Sequence, residues 1–251
     1  MVQTGLHAYF SLLIRSKLPS KKWFFTSFLI GSIIPDIDLI LVPLGFLLQL
    51  NLQESIFMFH RSFSHSLITL TTLYLLFLII YEIKKESTLL FVFNGFCLGV
   101  LLHIIIDILF SFEPIHVFWP LPMNKIHFFH DIKLSYFLKI FILSIEFFFF
   151  RIFAWKLINI IIEQPFKNAR IINHLNQFMK IELLFLILFL ISSALLDYKF
   201  ILYIFWIFYI PSIIFINITL FKMKDSINEY GINKKISSHY IKNKSSITNI
   251  E

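Results

Sequence analysis

The chain has 251 residues and a formal net charge of +7 at neutral pH. Hydrophobic residues make up 58% and charged residues only 15%, against about 25% charged in an ordinary soluble domain. That balance excludes a soluble globular protein, and it assigns the basic excess to loops kept on the cytoplasmic side rather than to nucleic-acid binding. The single cysteine, Cys97, lies in an apolar run, so neither an intrachain disulfide nor a thiolate metal site can be built.

From the N-terminus, Gly5–Lys17 and Trp23–Ile34 are short apolar stretches of similar length, joined by a basic turn with Arg15, Lys17, Lys21 and Lys22. They read as an antiparallel hairpin that brings His7 beside Asp36. The apolar run continues to Leu50 but is interrupted by Pro35-Asp36-Ile37-Asp38. Proline disfavours helix at the residue before it, so a break here would let both carboxylates face one centre. Membrane helices of about 20 apolar residues are predicted at Ser66–Tyr81, Thr88–Phe112, Leu134–Ile162, Ile181–Leu196 and Phe200–Phe221. The expected architecture is an all-α, polytopic helical bundle with about six or seven membrane-embedded helices. It occupies residues 1–221, with residues 222–251 as a basic, polar, poorly ordered cytoplasmic tail.

Alternation of the spans sends most Lys and Arg to the side of the 15–22 turn and of the tail. Arg61, Lys125, Lys133 and Lys199 fall on the other side. The positive-inside rule makes the first side cytoplasmic. The same alternation places His7, Asp36, Asp38, His60, His65, His103 and Asp107 together near the outer face, although they come from segments far apart in sequence.

These seven residues carry the chemistry. His60-Arg61-Ser62-Phe63-Ser64-His65-Ser66 packs two imidazoles, a guanidinium and hydroxyls into a bend, with Ser64 or Ser66 able to cap the next helix. His103 and Asp107 are four apart in an aliphatic helix and share one face. Ionisable groups inside a membrane segment are costly and are functional by default. Three carboxylates repel one another in a low-dielectric region unless a cation neutralises them. The imidazole and carboxylate set suits zinc, with manganese or iron also compatible. Seven candidates exceed one tetrahedral ion, so either two ions bind or some members support the others. His116, before Trp119, is a candidate for the site entrance. His127, His130 and Asp131 form a second, aromatic-flanked group, and Glu146 reads as a polar link between helices.

On Thr4-Gly5-Leu6-His7, Ile34-Pro35-Asp36-Ile37-Asp38, His60-Arg61-Ser62-Phe63-Ser64-His65-Ser66, Gly99 through Asp107 and Phe118-Trp119-Pro120, the chain resembles the YdjM-like membrane-bound metal-dependent hydrolases. The resemblance covers residues 4–122. This chain carries Ser62 and Ser64 where the family commonly has Gly and Thr, which leaves the ligand set intact. The resemblance implies a hydrolase in a bacterial inner or plasma membrane, with its site toward the outer face. The expected substrate is lipid-linked or membrane-proximal, a phosphoester being one class it admits, and membrane lipid is the expected partner. His7, Asp36, Asp38, His60, His65, His103 and Asp107 would bind metal, with Asp38 as general base and Arg61 facing anionic substrate. The rival expectation is a non-enzymatic membrane protein that transports or senses divalent metal. Transporters place their sites at the midplane between repeats, and no repeat is visible here.

Overall fold

The computed structural model describes residues 4–111, 114–123, 126, 134–162 and 169–223. The tail after Met223 and the group His127, His130 and Asp131 lie outside the described residues. Among those described the fold is all-helical, apart from an isolated antiparallel bridge between Ile115 and Ile126. The helices are α1 (Thr4–Leu13), α2 (Phe24–Ile33), α3 (Val42–Leu47), α4 (Leu52–Phe59), α5 (Leu67–Lys84), α6 (Ser87–Phe110), α7 (Tyr136–Ile162), α8 (Ala169–Leu195) and α9 (Tyr198–Lys222). Phe24–Gly45, α5, α6, α8 and α9 are long and apolar enough to cross a membrane. The outward faces of α5 and α8 expose Leu75, Ile79, Leu184, Ile187 and Ile191. Apolar faces of this kind suit lipid, where a helix satisfies its own backbone.

The anticipated break at Pro35 is instead a change of helix type. Ile34–Leu41 winds as a 3₁₀ helix directly from the end of α2 and leads into α3. Pro35, second in this segment, has no N–H with which to continue the ladder of α2, and the winding changes there. The hairpin α3–α4 follows, and a reciprocal capping box between Asn51 and Glu54 starts α4.

Two packing devices fix the framework. The first is the α2–α6 contact, in which the helices run parallel. A Cβ at Gly95 would lie 2.3 Å from the Phe24 carbonyl oxygen, at Gly99 2.1 Å from that of Phe28, and at Gly31 2.2 Å from that of Phe96. Only hydrogen fits there, so the backbones approach as small-residue interfaces in membranes allow. The second is aromatic: Phe147 and Phe150 of α7, Phe189 of α8, and Phe205 and Tyr209 of α9 are fully buried together. The Phe205 and Tyr209 rings lie 5.0 Å apart, and those of Phe150 and Tyr209 5.6 Å. α1 lies between these halves. Its small buried stripe of Thr4, Gly5, Ala8 and Ser11 allows close approach, and a Cβ at Gly5 would meet the Phe149 Cβ at 2.9 Å.

Candidate metal centre

The start of α1, the 3₁₀ segment after α2, the turn between α4 and α5, and the last turns of α6 meet at one level. His7, Asp36, Asp38, His60, His65, His103 and Asp107 all converge there, and all are buried. Helical rise puts His103 about 24 Å along α6 from Ser87 and about 10 Å short of Phe110. The cluster therefore sits recessed from the near end of α6.

The α2–α6 register aims His103. Its Nδ1 lies 2.8 Å from the Ser32 carbonyl oxygen. In a 3₁₀ ladder the donor for that carbonyl would be residue 35, a proline with no N–H, so the carbonyl is open to the imidazole. A carbonyl only accepts, so Nδ1 carries the proton and Nε2 turns its lone pair to the cluster. The same logic applies to His65. Its Nδ1 is 2.8 Å from the Ser64 hydroxyl, whose own hydrogen goes to Asp38 Oδ2. His65 Nδ1 must then donate, which frees Nε2.

The two Nε2 atoms are 3.0 Å apart. Asp107 Oδ2 is 3.3 Å from His65 Nε2 and 3.7 Å from His103 Nε2. Asp36 Oδ1 is 3.9 Å and 3.7 Å from the same two nitrogens. Ligands on a tetrahedral ion with bonds of about 2.0–2.1 Å stand about 3.3 Å apart, so these separations are those of a coordination shell. Asp107 Oδ2 is buried and accepts no hydrogen bond, which a cation would remedy. By donor chemistry and by spacing, the residues fit a divalent metal.

The seven side chains include two groups of three able to hold an ion: His7, His103 and Asp107, and Asp36, His60 and His65. His7 Nε2 lies 3.1 Å from Asp107 Oδ1, and its ring stacks on His103 at 3.8 Å. The hairpin expected from the sequence brings the start of α1 to the cluster, where His7 contacts Asp107 and His103. The α1 residue that touches Asp36 is Thr4, through its hydroxyl.

His60 closes α4, where its Nδ1 lies 2.6 Å from Asp38 Oδ1 and its Nε2 accepts from Arg61 Nε at 3.3 Å. Burial pushes the His60 imidazole below its usual pKa, against the pull of Asp38, with the Arg61 charge assisting. Burial also opposes a charge on His65, but the negative charges of Asp107, Asp38 and Asp36 around it outweigh that penalty and hold His65 above the usual value. A proton on His65 and a bound cation answer the same electrostatic demand.

Arg61 has φ 63°, a left-handed conformation that costs a non-glycine residue about 1 kcal/mol or more and clusters at functional sites. Its carbonyl accepts from the His116 N–H at 3.3 Å, and its Nη1 donates to the Ser111 hydroxyl. The loop around residues 115–119 closes on this turn. Leu67 N donates to the Val117 carbonyl at 2.8 Å, and Ser66 donates to the Trp119 carbonyl at 2.6 Å. Ser66 also caps α5, whereas Ser64 serves Asp38. The His116 side chain is half-buried beside this turn.

Sequence reasoning assigned no role to Tyr209, Ser111 or the Ser32 carbonyl, and it gave Glu146 only a generic link. Glu146 Oε1 accepts from the Gly5 N–H, so α7 caps the start of α1 with a carboxylate. The readable signal for the α2–α6 contact was Gly95 and Gly99, four apart, facing Ser27 and Gly31. No spacing signals Tyr209, which reaches Thr4 from another part of the chain.

No curated protein and no solved structure matches the chain. The family model described as YdjM inner membrane protein matches residues 2–214. With most of the chain under that match, and its membrane helices and buried His/Asp groups in place, the protein belongs to the YdjM inner membrane protein family.

Proposed function

We propose that the protein is a membrane-embedded, metal-dependent hydrolase acting on a lipid-linked or membrane-proximal substrate. The observation that carries this reading is the convergence of two lone-pair nitrogens, His65 Nε2 and His103 Nε2, with the unpaired Asp107 Oδ2 and with Asp36 Oδ1. These four residues would hold the ion, with His7 and His60 completing a shell or a second site. A divalent cation held there would lower the pKa of water toward neutrality and offset negative charge in the transition state. Asp38, held by His60 Nδ1 and the Ser64 hydroxyl, takes the proton as general base. Arg61 adds positive charge beside His60 and stabilises an anionic group of the substrate.

The recessed position, about 10 Å inside the end of α6, favours a substrate whose reacting group enters the apolar layer. It also weighs against the metal-transport reading, since the described residues place the seven ligand candidates at one end of α6 rather than along a path. The test is a hydrolysis screen over phosphoester, ester and amide amphiphiles, on protein stripped of metal and then reloaded with zinc or manganese. Activity that appears only on reloading supports the reading. Metal binding without turnover on any class would move it to the rival.

A further inference from the structure

We propose that Thr4 and Tyr209 are positioning residues that hold Asp36 in its metal-facing orientation, so that α9, which carries no recognisable motif, is part of the site. The inference rests on the metal-centre reading above. Thr4 donates its single hydroxyl hydrogen to Asp36 Oδ2. Its oxygen also meets the Tyr209 hydroxyl, and with Thr4's hydrogen already committed, Tyr209 must be the donor. The result is a directed chain, Tyr209 to Thr4 to Asp36. It occupies Oδ2 and leaves Oδ1 as the oxygen nearest His65 and His103 Nε2, at 3.9 and 3.7 Å.

Every member of the chain is buried: Thr4 is 0% exposed, Tyr209 0% and Asp36 1%. Neither hydroxyl can exchange its partner for solvent, so the geometry is held. Tyr209 is itself fixed by the Phe205 and Phe150 rings, and the Thr4 backbone by the Glu146 cap on the next residue. Partners that orient ligating carboxylates in this way govern metal affinity.

The test measures zinc affinity by chelator competition, together with the visible spectrum of the cobalt-loaded protein. The full chain in detergent carries Thr4→Val, Thr4→Ser, Tyr209→Phe, the Thr4→Val/Tyr209→Phe pair, or Tyr203→Phe as a control on the same helix. We expect Thr4→Val and Tyr209→Phe to weaken zinc binding about 10–100-fold and to alter the cobalt spectrum. Thr4→Ser should restore affinity and Tyr203→Phe should match the wild type. The double variant should be no weaker than Thr4→Val alone, because one chain is being cut twice. The melting temperature of the metal-free protein should hold while the increment gained on adding zinc shrinks.

Wild-type affinity in both Thr4→Val and Tyr209→Phe overturns the proposal and leaves the metal centre standing. A lowered metal-free melting temperature with unchanged zinc affinity also overturns it, since that would be packing alone. A wild-type protein that binds neither zinc nor cobalt removes the metal centre and this inference together.

Discussion

Asp107 is the residue that separates the proposed metal chemistry from a structural role most plainly. Its Oδ1 is 3.1 Å from His7 Nε2, while its buried Oδ2 accepts no hydrogen bond and faces His65 and His103. Replacement by Asn keeps the volume but puts an amide where a carboxylate faced two imidazoles. If Asp107 ligates, metal affinity should fall by at least about 100-fold, beyond the loss typical of a supporting partner. A brace on His7 would survive much better. His103→Gln should behave likewise, since Gln keeps a donor for the Ser32 carbonyl but offers no imidazole. Arg61→Lys separates a different role. Metal content should persist while turnover falls, because the planar fork that spans His60 and Ser111 cannot be copied by an ammonium. Equal loss of metal in Arg61→Lys would instead make Arg61 a structural support of the ligands. Residues of this kind were legible in the sequence because charge in an apolar run stands out. Thr4 and Tyr209 were not, because a buried hydroxyl is unremarkable until its partner is seen.

At the scale of elements, the site depends on how closely α2 and α6 approach. Gly99 sits one turn before His103 and presses on the Phe28 carbonyl, one turn before Ser32. Gly99→Ala would force the helices apart, at a cost of about 1–3 kcal/mol for overpacking, and would draw His103 away from the Ser32 carbonyl. Thermal melts should show the loss of stability, and zinc affinity should fall with it. Loss of stability with unchanged affinity would mean that this contact supports the fold but not the ligand. The helix spans read from apolar runs match the observed helices within a few residues, except that α8 begins at Ala169 rather than near Ile181. Its first turns are polar and largely exposed, so hydropathy marks only the membrane-crossing part. The 3₁₀ winding of Ile34–Leu41 was also hidden, because Pro35 signals a departure from α-helix but not which geometry replaces it.

For the whole molecule, the basic turn at Arg15–Lys22 and the loop around Trp119 lie toward opposite ends of the bundle. Lys21 lies over the Phe91 ring near the start of α6, while Trp119 packs on the turn between α4 and α5 that carries His60 and His65. Single cysteines at Ser20 or Met123, in a Cys97→Ser background, should label from opposite sides of the membrane. Positive-inside bias predicts Ser20 on the cytoplasmic side. Labelling of both from one side would reject the topology. Whether the His/Asp cluster holds a divalent metal is decided by elemental analysis of the purified wild-type protein beside Asp107→Asn. At least one equivalent of zinc, manganese or iron is expected in the wild type and a sharp loss in the variant, with both eluting as the same folded species. No metal above background in a wild-type protein whose melting temperature does not respond to added zinc, manganese or iron would contradict that expectation.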